Sequence, residues 1–94
     1  MKLATTGIAG TMESGDILIE INESDTPGIT ISLDSTVENQ FGKQIIATIR
    51  NTIAEYGLDH VNVRAIDKGS LDCTIRARVA AAIMRGCNSE EYKW

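Results

Sequence analysis

The period of the apolar residues changes along this chain, and those changes restrict the folds open to it. Ile17, Ile19 and Ile21 alternate with Leu18 and Glu20, and Ile29, Ile31 and Leu33 alternate with Thr30 and Ser32. A two-residue period puts each set on one face of a strand. From Val37 the spacing lengthens: Val37, Phe41, Ile45, Ile49, Ile53 and Tyr56 recur every three or four residues, which is one stripe of a helix. His60 to Asp67 returns to alternation, with Val61, Val63 and Ala65 on one face. Leu71, Ile75, Val79, Ala82 and Ile83 then form a second helical stripe. Gly7 to Met12 reads as a weaker first strand, because glycine offers a strand no side chain to pack.

The punctuation agrees with this division. Ser14-Gly15 marks a turn between the first two strands, and 22–28, with its Asn, Ser, Asp, Pro and Gly, marks a loop between the second and third. Ser35-Thr36-Val37-Glu38 has the spacing of a capping box, so the first helix is expected over 35–56, with Gly57 as the residue that ends it. Ser70 is placed to cap the second helix, and Asp72 suits the positive end of its dipole. The order is β-β-β-α-β-α. Two antiparallel hairpins come first, and helix 35–56 is a crossover to a parallel or non-adjacent fourth strand. The expected fold is α+β: a two-layer sandwich of a mostly antiparallel four-stranded sheet with both helices on one face. The 94 residues fit one domain, 1–94, with 88–94 as a polar, flexible tail.

Charge and composition remove several classes of function. Nine Lys and Arg against thirteen Asp and Glu give a net charge of −4, against a nucleic-acid binder, which needs a basic face. The longest apolar run, Val79 to Met84, is far short of the roughly eighteen residues that span a membrane. Lys2 is not followed by the continuous apolar core of a signal peptide, so a cytoplasmic protein is expected. Cys73 and Cys87 are too far apart for a CxxC site and are expected as free thiols.

The chemistry-bearing residues do not compose an active site. A nucleophilic serine needs a base within hydrogen-bond reach. His60 is the only histidine, and Ser14 lacks the GxSxG elbow. No Cys/His set is spaced for zinc and no EF-hand is present, so no dedicated metal site is expected; Glu13, Asp16, Glu20 and Glu23 read as solvated acids. Arg78 and Arg85, seven residues apart, share one side of the second helix and Arg76 faces elsewhere. The pair is either a solvated flank or a contact for a partner or for phosphates. Ser14 is either an ordinary turn serine or an exposed point of attachment. Such a domain carries, binds or regulates, and catalyses nothing alone.

Three segments, spread over most of the chain and in the same order, resemble the citrate lyase acyl carrier protein (gamma subunit) family. Ala9-Gly10-Thr11-Met12-Glu13-Ser14-Gly15-Asp16 matches its AGTxESGD-like segment. Ser35-Thr36-Val37-Glu38-Asn39-Gln40-Phe41-Gly42 matches SxVExQFG. Asp67-Lys68-Gly69-Ser70-Leu71-Asp72-Cys73 matches DKGALDC, with Ser70 in place of the more usual alanine. The resemblance implies that Ser14 carries a covalent group, 2'-(5''-phosphoribosyl)-3'-dephospho-coenzyme A, through a phosphodiester, placed there by a prosthetic-group transferase. It implies acetyl and citryl held as thioesters, with citrate lyase alpha (transferase) and beta (lyase) subunits as partners and citrate cleaved to acetate and oxaloacetate. A carrier of citramalate lyase or malonate decarboxylase, or a non-carrier regulatory or ligand-binding module, is the alternative.

Overall fold

A computed structural model describes residues 3–36 and 38–87, with Glu38 and Asn39 described by their backbone alone. The elements follow the expected order: β1 (Gly7–Gly10), β2 (Ile17–Glu23), β3 (Gly28–Ser35), α1 (Glu38–Glu55), β4 (His60–Asp67) and α2 (Asp72–Gly86). The sheet runs β1-β2-β4-β3. β1 pairs with β2 and β2 with β4, both antiparallel, and β3 runs parallel to β4. The fold is therefore the expected α+β sandwich. The second of the two expected hairpins is absent, because β4 inserts between β2 and β3. Burial follows that order: the inward residues of the central β4, Val61, Val63 and Ala65, are all but fully buried, whereas those of β3 at the edge are only half-buried. The Ser and Thr positions of β3 fall on an edge strand. The link 24–27 wraps the start of β4, with Ser24 N–H donating to His60 O and Gly28 N–H to Asp59 O (2.7 and 2.6 Å).

One core lies between the sheet and the helices. Ile17, Ile19 and Ile21 of β2 meet Ile45, Ile49 and Ile53 of α1 and Ile75, Val79, Ala82 and Ile83 of α2. α2 lies over β1 and β2, and α1 over β3. Its approach to β1 explains the glycine in that strand: a Cβ on Gly7 would fall 1.8 Å from Ala82 O.

Several boundaries differ from expectation. β1 stops at Gly10, so Thr11 and Met12 belong to the loop. α1 begins at Glu38 and ends at Glu55 rather than spanning 35–56. Ser35 is the last residue of β3, and its hydroxyl donates to Asp67 Oδ2 at 2.8 Å. Phe41 is 48% exposed rather than buried in the α1 stripe, while Thr52, whose hydroxyl donates to Thr48 O, is buried within it. Ser70 does not cap α2: the cap residue is Leu71, without a side-chain bond, and the Ser70 hydroxyl donates to Asp67 instead. Leu71, at 70% exposure, is outside the core. Val37 and the tail 88–94 lie outside the described residues. Gly57 ends α1 as expected, with φ 76° and its N–H on Ala54 O.

Candidate functional site

Ser14 sits in the six-residue loop 11–16 that joins β1 to β2. Asp16 N–H donates to Glu13 O at 3.0 Å, which closes a four-residue turn with Ser14 and Gly15 at its centre. Gly15 has φ 84°, as the third position of a type II turn requires. A Cβ there would meet open space, so the backbone angle, and not crowding, calls for glycine. Ser14 is exposed, and its hydroxyl has no hydrogen-bond partner among the described residues.

The loop is fixed from two sides. Gly15 N–H donates to Lys68 O and Lys68 N–H to Asp16 O (2.7 and 2.9 Å), which ties the turn to the segment between β4 and α2. Asp16 anchors it to α2: Arg78 Nε donates to Oδ1 and Nη2 to Oδ2, at 3.0 and 2.9 Å. The Thr11 hydroxyl donates to Asp16 Oδ2 (2.8 Å) and Ile17 N–H to Oδ1 (2.7 Å). Thr11 Oγ1 also accepts from Glu13 N–H. A two-pronged guanidinium–carboxylate pair fixes orientation as well as distance. With only 14% of its side chain exposed, Asp16 is held well below the usual carboxylate range, chiefly by Arg78 and then by Ile17 N–H and the Thr11 hydroxyl.

Beneath the loop, Asp67 is a buried hub at the next inward position of β4 after Val61, Val63 and Ala65. It is 1% exposed and accepts from the Ser35 hydroxyl, Gly69 N–H, Ser70 N–H and the Ser70 hydroxyl. Burial alone would raise its pKa; these bonds outweigh it and hold the carboxylate below its ordinary value. The signal in the sequence was the Asp-Lys-Gly-Ser turn, where an aspartate bonds its own following amides.

The other candidates separate. His60 opens β4 while Lys68, beside Ser14, follows its end, so some 23 Å of strand, at about 3.3 Å per residue, lies between them. His60 Nδ1 lies 2.7 Å from Asp59 Oδ1, half exposed, and provides no base for Ser14. The acids do not cluster as a metal site among the described residues. Arg78 and Arg85 do share a side of α2: Arg85 donates to Ile8 O (2.8 Å), and Arg76 faces Glu55 of α1. Cys73 is exposed and Cys87 buried, and no disulfide joins them. No described helix is long and apolar enough to cross a membrane. The arrangement presents an exposed hydroxyl, with no base beside it among the described residues, on a turn tied to the body of the fold.

Comparison with known proteins shows what the whole chain is similar to. The acyl carrier family model described as malonate decarboxylase delta subunit (MdcD) matches residues 4–86. The chain is 46% identical over its whole length to the citrate lyase acyl carrier protein of Streptococcus mutans, covering 92% of that protein. It is 44% identical to the citrate lyase acyl carrier protein of Fusobacterium nucleatum, with both chains covered completely. That of Latilactobacillus sakei is 46% identical, again over this whole chain.

Proposed function

The chain belongs to the citrate lyase acyl carrier protein family, and from that premise we propose that it is the acyl carrier subunit of a citrate lyase, with Ser14 as its point of covalent attachment. The observation that carries the assignment of Ser14 is its setting: an exposed hydroxyl without an internal partner, on a turn held by Lys68 and Arg78. A carrier needs no base of its own, because a prosthetic-group transferase supplies the chemistry of attachment. It needs a hydroxyl that such an enzyme can reach, on a support that does not collapse into the cleft.

The group proposed is phosphoribosyl-dephospho-coenzyme A, joined through a phosphodiester, and its terminal thiol supplies the thioester that carries acetyl or citryl. The residues present fit such a group. Ser14 stands clear of the body, so a bulky adduct displaces nothing, and Gly15 beside it adds no side chain. Tethering raises the effective concentration of the acyl group at each partner site the arm can span. The partners proposed are the alpha (transferase) and beta (lyase) subunits, in the cytoplasm, with residues 1–94 acting as one carrier domain. The family-model description favours a second reading, the carrier of a malonate decarboxylase or a related complex.

Reconstitution tests the function. Protein coexpressed with the transferase and then mixed with alpha and beta subunits is expected to support cleavage of citrate to acetate and oxaloacetate. Ser14→Ala protein is expected to support none. Cleavage at an undiminished rate with Ser14→Ala would overturn the assignment, and failure with these subunits but support of malonate decarboxylation when mixed with malonate decarboxylase subunits would transfer it to the second reading.

A further inference from the structure

The α1 and α2 stripes each place one large apolar residue outside the core, and both lie at the same groove. Phe41 is 48% and Leu71 70% exposed. They line a cleft of about 310 Å³ between the first turns of α1 and α2, with Ile45 and Ile75 beneath them and Gln44 and Ser70 on its rim. The cleft begins where the site ends. Gly69, in its wall, directly follows Lys68, whose carbonyl accepts from the amide of Gly15. Ser14 is therefore one residue from a backbone bond to the segment that walls the cleft.

We propose that this cleft is the resting site of the arm attached at Ser14, taking its pantetheine-class portion. The inference rests on the carrier reading above. That portion alternates amides with apolar carbons, including a gem-dimethyl centre. Phe41, Leu71, Ile45 and Ile75 would cover the apolar carbons, and Gln44 and the Ser70 segment stand within the rim for the amides. Removing such exposed apolar surface from water favours the seated arm. An arm anchored next to the groove meets it as an intramolecular partner, so even a weak site is occupied. A second copy of the chain is a poorer occupant: two exposed side chains do not make the ~800 Å² per partner of a stable dimer.

The test compares apo and holo protein by two-dimensional amide NMR, after intact mass and peptide mapping have located the adduct. The expected result is shifts at Ile45, Leu71 and Ile75, beyond those at 12–16 and 67–69, with cross-relaxation between the Phe41 ring and the arm's methyl groups. Shifts confined to the attachment segment would overturn the proposal. So would groove shifts that arise only when an alpha or beta subunit is added, which would make the cleft a docking site for that subunit. An adduct found away from Ser14 would fail the attachment itself, and the resting site with it. A second readout is the alkylation rate of the arm's thiol in a Cys73→Ser background, which removes the exposed competing thiol. It is expected to be several-fold slower than for free pantetheine, and restored by Phe41→Ser with Leu71→Ser, both at exposed positions whose loss leaves the core intact. Equal rates for the arm and for free pantetheine before those substitutions would contradict the proposal.

Discussion

Two aspartates hold the Ser14 end of the molecule in shape, and they do so differently. Asp16 is an ion-pair anchor between the loop and α2. Its folded pKa is depressed, so its contribution is fully present above the ordinary aspartate value of about 3.9 and is lost as pH falls through the lower folded value. Asp16→Asn is expected to lower the melting temperature by a constant amount from neutral pH down to about pH 4. The gap to the parent should close only below that. Melts of both proteins across the acid range measure it, and a gap already closing near neutrality would be inconsistent with the pairing. Asp67 is a buried acceptor for four donors from Ser35, Gly69 and Ser70. Asp67→Ala leaves those donors without their acceptor and is expected to cost roughly 3 kcal/mol, measured by urea unfolding. Ser14 was legible as a turn residue from its Ser-Gly pair. The tie from Asp16 to Arg78 was not, because the two are 62 residues apart and no local pattern joins them.

At the scale of elements, alternation and helical spacing located every strand and helix, since each buries one face and the buried face must repeat with the backbone. The ends were less legible. Ser70 looks like a helix cap, yet its hydroxyl turns to Asp67, which accepts within the turn that precedes α2. Strand order was also hidden, because β2, β3 and β4 all present an apolar inward face and alternation does not rank them. Placing β3 at an edge creates a second exposed sheet margin beside β1, and each margin has an arginine laid across it. Arg50 of α1 donates to Ile29 O and Arg85 of α2 to Ile8 O, at 2.9 and 2.8 Å. Such cover opposes strand-to-strand association. Arg50→Ala with Arg85→Ala is expected to increase concentration-dependent self-association, read by sedimentation velocity. A double variant as monodisperse as the parent would show that the two side chains do not guard the edges.

Across the whole molecule, the features that matter to a carrier gather at one end. Loop 11–16, the ends of β3 and β4, the segment 67–71 and the first turn of α2 all meet there, and His60 with Asp59 lies at the other. The three segments that resemble the family map onto that end, at the β1–β2 loop, the β3–α1 junction and the β4–α2 connection. Their spacing in sequence reflects a single place in space. The core supplies a base for the turn that presents the Ser14 hydroxyl. Tandem mass spectrometry of the protein coexpressed with its prosthetic-group transferase tests this most directly. A phosphodiester-linked adduct on the peptide containing Ser14, and none on Ser14→Ala protein, is the predicted result. An adduct that persists in Ser14→Ala protein, or a wild-type chain that remains unmodified beside an active transferase, would contradict it.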